Sequence, residues 1–152
     1  CAENAYLSEH AALLLSSFSR LIGTHLIDPE LTAGDRYRAL FEAGFCVVSH
    51  GTETDPVFNY GNRAALALFE MDWEAFTKLP SRRSAEPQLR EERESLLTQV
   101  AEKGFIDDYR GVRVSASGKR FLVEKAIVWN LVDENGDYHG QAAALYQWSK
   151  LK

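Results

Sequence analysis

Cysteine is scarce in this chain: Cys1 and Cys46 are the two among 152 residues, and one of them is terminal. Thiols so placed support neither a disulfide framework nor a structural zinc site, and they suit a reducing compartment. Basic surplus is missing as well. Lys and Arg number 17 against 22 Asp and Glu, giving a net charge of -5 and a pI near 5.4. No excess of cations is available to displace counterions from phosphates, so direct nucleic-acid binding is not expected. No window approaches the roughly 18 to 20 consecutive apolar residues of a membrane span, and the run from Ala11 to Leu15 is far too short. His10, His25, His50 and His139 are scattered, without the close pairs that chelate a metal. A Gly-x-Ser-x-Gly nucleophile elbow is lacking, and so are the glycine clusters that cradle phosphate. The chain begins at Cys1 rather than Met, which fits a trimmed terminus, a removed targeting segment or a lipid-modified end. Trimming is the simplest reading; the expected location is the cytoplasm, or an organelle stroma if a targeting segment was removed.

What is present fits one domain: 45% apolar and 11% aromatic residues are enough to bury a core without disulfides or metal. Tyr6, Leu7, Ala11, Leu14, Leu15, Phe18, Leu21 and Ile22 recur at helical spacing, so Glu3 to Leu26 reads as an amphipathic helix that needs a surface to cover. It packs either on its own domain or on a copy of itself. Gly23, followed by the Asp28-Pro29 pair, ends the helix, and a short one, Asp35 to Glu42, follows. Phe45 to His50 and Asp55 to Tyr60 read as two strands of a hairpin closed by Gly51 to Thr54. Asn62 caps a helix from Arg63 to Glu70, and Asp72 caps a turn from Trp73 to Leu79. Pro80 and Pro87 bracket a polar connector. Leu89, Leu96, Leu97 and Val100 then mark one face of a helix whose Arg90, Glu91, Glu94 and Glu102 face water, and Gly104 stops it. Beyond it the period becomes extended, with turns at Ser115-Ala-Ser-Gly118 and Asp133-Glu-Asn-Gly136 separating three strands. The order predicts an α+β fold: a five-stranded antiparallel sheet with helices on one face, preceded by the N-terminal helices.

Two sets of motifs resemble known families. Phe58-Asn-Tyr-Gly-Asn62-Arg-Ala-Ala-Leu is similar to the strand-to-helix entry of PAS domains, and Gly111-Val-Arg-Val-Ser-Ala-Ser-Gly-Lys-Arg-Phe-Leu-Val-Glu with Asp133-Glu-Asn-Gly resembles their closing hairpins. More specifically, Asp55-Pro-Val-Phe-Asn-Tyr, Pro80-Ser-Arg-Arg-Ser-Ala-Glu-Pro, Gly104-Phe-Ile-Asp-Asp-Tyr-Arg-Gly-Val-Arg, Val128-Trp-Asn-Leu and Gly140-Gln-Ala-Ala resemble the MEKHLA domain, a PAS-related module. That module occurs alone in bacteria and algae and at the carboxyl end of plant leucine-zipper homeodomain transcription factors. The resemblance implies a helical extension at 1–43 and a PAS-like domain at 44–152. It also implies a sensory or regulatory role, in which a small ligand or protein partner is bound rather than a reaction catalysed. A ligand-free homodimerisation or protein-interaction domain is the alternative, and an enzyme with a pocket cysteine a weaker one.

By PAS-like alternation the pocket wall would be Cys46, Val48, Val57, Asn59, Tyr109, Arg113, Phe121, Val123, Ala142 and Ala144, an apolar lining with a few polar groups that suits a small ligand. Small residues such as Ala142 and Ala144 leave room for a ligand or accept Trp73, Phe76 or Phe105 from the helices. The resemblance to PAS domains would place a haem's axial His, or a light-sensing flavin's reactive Cys, on the helices facing the sheet; no His lies between His50 and His139 and no Cys between Asn62 and Gly104, so both are disfavoured. The cofactor is thus unknown. Arg82 and Arg83, flanked by Ser81 and Ser84, are candidates for an anion or for a partner's carboxylates, unless Glu86 or Glu91 locks them internally. Asp107 and Asp108 are neighbours on a strand, point to opposite faces and form no acid-base dyad. No catalytic and no metal-ligating residue is assigned.

Overall fold

The computed structural model describes residues 8–84 and 90–150. Its first helix, α1, spans Ser8–Ile22 and ends at Gly23, whose φ of +88° breaks the helical ladder while its N–H still reaches the Ser19 carbonyl. The helix thus stops at Gly23, as expected, and the apolar stretch to Leu26 is not all helical; Tyr6 and Leu7 lie outside the described residues. The second helix, α2, runs Ala33–Glu42, with Thr32 accepting from the Asp35 N–H as its cap.

Strands β1 (Cys46–His50) and β2 (Phe58–Gly61) follow, then α3 (Arg63–Phe69), α4 (Trp73–Phe76) and a 3₁₀ turn at Ser81–Ser84. The polar side chain of Asn62, fully buried, joins four segments. Its Oδ1 accepts from the backbone N–H of Val47 and Ala65, while its Nδ2 donates to the carbonyls of Leu40 and Phe45. The capping role read from sequence holds, and the same side chain also ties α2 to β1.

Helix α5 (Arg90–Lys103) leads into β3 (Phe105–Val114), β4 (Arg120–Val132) and β5 (Tyr138–Lys150). Val100 is the buried contact of α5; Leu89 and the side chains of Leu96 and Leu97 lie outside the description. The sheet has five antiparallel strands in the order β2-β1-β5-β4-β3, as expected. β1 and β5 sit side by side near its centre although most of the chain separates them. They approach so closely at Gly140 (φ +130°) that a Cβ there would overlap the His50 carbonyl oxygen.

Helices α3, α4 and α5 roof one face, as predicted. Helices α1 and α2 cover the other, which settles what α1 packs on: its own sheet. Ala11, Leu14 and Phe18 of α1 and Leu40 and Phe41 of α2 share a core with Val47, Tyr60, Trp129, Leu131, Ala142 and Ala144. On the opposite face Phe58, Phe69, Phe76 and Phe121 close over Cys46, Val48, Val123, Ala126 and Leu145. β1 is buried along its whole length because each side chain meets one core or the other.

Candidate functional site

A cavity of about 50 Å³ lies between the sheet and the 3₁₀ turn. Strand β1 positions Val48 and His50 on it, β5 positions Ala143 and Leu145, and β3 supplies Tyr109 and Arg113. Polar groups gather at one side. The Arg113 guanidinium donates to Ser84 Oγ at 3.1 Å and lies 5.7 Å from the centre of the Tyr109 ring, so one cation is held by a hydroxyl and an aromatic face. Ser84 in turn donates to the Ser81 carbonyl at 2.7 Å, fixing the turn that forms the roof. Gln141 Nε2 donates to Asn130 Oδ1 at 3.1 Å, and Asn130 Nδ2 donates to the Val100 carbonyl at 3.0 Å, tying α5 to the same wall. His50 Nδ1 lies 3.0 Å from the Gly51 carbonyl.

Across the sheet α1 is held by polar contacts at both ends. His10 Nε2 lies 2.8 Å from Ser49 Oγ, and Ser49 donates its own proton to Asn59 Oδ1. With Asn59 Oδ1 accepting the hydroxyl proton, Ser49 is left to accept from His10, the arrangement of an Nε2–H imidazole. A histidine that donates cannot activate this serine as a nucleophile. Burial first, and the nearby His139 second, push His10 down to about 4. At the other end Ser17 Oγ donates to the Val132 carbonyl at 2.9 Å and accepts from the Val132 N–H at 3.0 Å, and Arg20 donates to the same carbonyl. No sequence pattern marks these partners; each pair is distant along the chain.

The structure divides the ten predicted wall residues. Val48, Tyr109 and Arg113 border the cavity, and Cys46, Phe121 and Val123 lie in the apolar cluster on the same side of the sheet. Asn59 faces α1 instead. Ser49 pairs with Tyr60 and His50 with Phe58, so Asn59 is the extra residue of a β-bulge and turns to the same side as Tyr60. Ala142 and Ala144 also face α1, paired with Trp129 and Ile127. Ala142 also borders the cavity, although its side chain belongs to the core on the α1 side. The alternation expected for β5 is one residue out of phase, because β4 and β5 carry bulges between Val123 and Ala126 that reset it. Val57 precedes β2 and forms an isolated bridge with Pro80.

Cys46 is fully buried, and burial pushes its thiol up to about 12, so it carries no thiolate at neutral pH. Arg83 is exposed on the 3₁₀ turn. The side chains of Arg82 and Asp108, and the expected partner Glu86, lie outside the description, as does the side chain of Glu91. Asp107 is exposed. Among the described residues no cluster of three or more His, Cys, Asp or Glu could hold a metal, and no helix is long and apolar enough to cross a membrane.

A five-stranded antiparallel sheet with short helices and one longer helix over a face, and a cavity between them, defines a PAS-type fold, the fold of light-oxygen-voltage sensory domains. The chain aligns with the PAS domain of a protein from Colwellia psychrerythraea at a TM-score of 0.64 and 14% identity, over 77% of this chain and 94% of that one. An RNA-binding light-oxygen-voltage receptor aligns at 0.63 and 16%, over 82% of this chain and 35% of that one. A light-oxygen-voltage domain studied with a flavin analogue aligns at 0.59 and 15%, over 76% and 84%. These likenesses show the fold alone. Within that fold the chain belongs to the MEKHLA domain family, whose model matches residues 8–150 and so takes in α1 and α2. The homeobox-leucine zipper protein ATHB-9 of Arabidopsis thaliana is 29% identical over 98 residues, 64% of this chain; that match spans 12% of the plant protein's length.

The cavity does not fit a flavin. Sites for ligands of that size run from about 300 Å³ upward, against about 50 Å³ here. The described cysteine, Cys46, lies on β1 rather than on a roofing helix.

Proposed function

We propose that this chain is a non-catalytic sensory or regulatory module, acting in the cytoplasm and without direct contact to nucleic acid. A small polar ligand or a partner's side chain engages the Arg113 cavity, and the change passes through the sheet to α1. The observation that carries this reading is the alternation of β1. Val48 and His50 border the cavity, while Val47 packs under α1 and Ser49 holds His10. A displacement of this strand on one side therefore reaches the helix on the other, because packed cores transmit strain. The absence of a thiolate at Cys46 and the donor role of His10 support a non-catalytic role.

The volume supports only a ligand of a few atoms without rearrangement, since a water needs about 10 to 15 Å³ of such space. Native mass spectrometry of the purified domain should show a bound small molecule. Hydrogen exchange in α1 should also change when Arg113→Ala removes the cation from the cavity. A protein without any bound molecule, with α1 exchange unaltered in that variant, sinks the sensor reading. The small volume favours a second reading, a ligand-free domain for homodimerisation or partner binding. Light scattering that finds a monomer at all concentrations removes its homodimer form.

A further inference from the structure

Helix α1 presents two stripes. Ala11, Leu14 and Phe18 enter the sheet core, whereas Ala12, Leu15, Ser16 and Ser19, again at helical spacing, face α2 and the segment 23–32. Between them lies a separate cavity of about 300 Å³, at the lower end of small-molecule sites and several times the volume beside Arg113. Leu15, Leu26, Ile27 and Tyr37 give it apolar walls, and Arg36 of α2 enters it. The Arg36 Nε is sealed from solvent and has no hydrogen-bond partner. Among the described residues its guanidinium forms no ion pair, although Asp28, Glu30 and Asp35 lie nearby in sequence. Asp28 accepts from the Glu30 N–H at 3.0 Å. A guanidinium is charged at every physiological pH, and leaving its Nε–H buried and unmatched is costly. An anionic ligand would remove that cost.

We propose that this cavity binds a small organic carboxylate, its charge on Arg36 and its apolar body against Leu15, Leu26, Ile27 and Tyr37. One cation beside apolar walls matches one carboxylate with an apolar body; Ser16, Ser19 and His25 also line the cavity, so inorganic phosphate is the competing anion that the test includes. The bound molecule would bridge α1 and α2.

Isothermal titration calorimetry and NMR on the full chain test this with octanoate and phenylacetate, against octanamide, phenylacetamide and inorganic phosphate. At least one acid should bind with a dissociation constant of about 1 mM or tighter, and its amide about tenfold or more weakly. Backbone shifts should cluster in α1, residues 23–32 and α2. Arg36→Gln should bring the acid to the level of its amide with the circular dichroism spectrum retained. Ser16→Phe, at an exposed position on the cavity rim, should abolish binding of both. The proposal is overturned if neither acid binds, if acid and amide bind alike, if phosphate binds as well as the acids, or if shifts centre on Arg113. Unchanged acid affinity in either variant overturns it too.

Discussion

The two faces of the sheet are closed by different means. Under α1, directional bonds do much of the fastening: His10 to Ser49 at one end, Ser17 and Arg20 to Val132 at the other, with Phe18 set edge-on to Trp129 at 5.0 Å and 81°. Under α3 and α4, ring contacts dominate. Phe58 lies over Phe76 at 4.3 Å and 16°, and Phe69 meets Phe121 at 5.4 Å and 71°. Hydrogen bonds fix a helix in one register, whereas flat rings pack well against one another and less well where polar side chains converge. The sheet cavity lies where His50, Arg113 and Gln141 interrupt that packing. Helix α1 is accordingly part of the core and not an accessory to it.

Truncating one large ring on each face tests this contrast and carries the largest effects. Trp129→Ala on the α1 side and Phe69→Ala on the other should each cost roughly 3 to 5 kcal/mol in denaturant unfolding, because both rings are almost wholly buried. Their signatures should differ. Loss of Trp129 should raise hydrogen exchange in α1, and loss of Phe69 should enlarge the apolar space beside the cavity enough to admit xenon. Identical exchange patterns in the two variants would erase the distinction between the faces. Asn62→Ala comes next at about 3 kcal/mol, since it removes a cap and three further hydrogen bonds. Asn62 joins α2 on one face to α3 on the other, so exchange should rise on both sides of the sheet. A change confined to α3 would reduce it to a simple helix cap.

Sequence reading recovered what local chemistry dictates. Asn62 caps α3 because an Asn before a run of Ala and Leu has a ready donor to satisfy, and Gly104 and the turns ending at Gly118 and Gly136 fall where positive φ is needed. It recovered the sheet, and Val48, Tyr109 and Arg113 of the expected wall border the cavity. The expectation failed at places where phase is not written locally. Ala142, Ala143 and Ala144 are equally small and apolar, so no alternation shows which of them turns toward α1; their neighbours on β4 decide. Asn59 changed sides through a bulge visible in the pairing of β1 with β2. His10, Ser17 and Arg36 gave no signal, because their environments are made by segments far away in sequence or by a loop that closes a cavity.

Acid should loosen the α1 face before the other. The folded state holds His10 at about 4, below its ordinary 6.5. Between these values an unfolded chain binds a proton that the folded chain refuses. Stability contributed by neutral His10 is therefore intact above pH 6.5 and declines as pH falls toward 4, by at most about 3 kcal/mol. His139, which faces it, is paired with Asp133 at 2.8 Å. Asp133 is held below 3.8, first by its hydrogen bond from His139, and so titrates beneath this window. Unfolding free energy measured from pH 7 to 4 should slope downward in the native sequence and flatten in His10→Gln. An equal slope in both would place the acid sensitivity elsewhere.

The smallest expected effect is a null one in the native state. Cys46 lies on the face closed by rings, with its thiol raised by burial and fully covered. In a Cys1→Ser background, which leaves it as the reporting thiol, an aromatic disulfide reagent should not react until the domain opens. Its reaction rate should then follow global unfolding, accelerating in Phe69→Ala in step with the lost stability. Labelling much faster than global opening would mean that the ring-closed face breathes locally. The looser face would then be the one holding the cavity, and entry of a ligand beside Arg113 would need no large rearrangement.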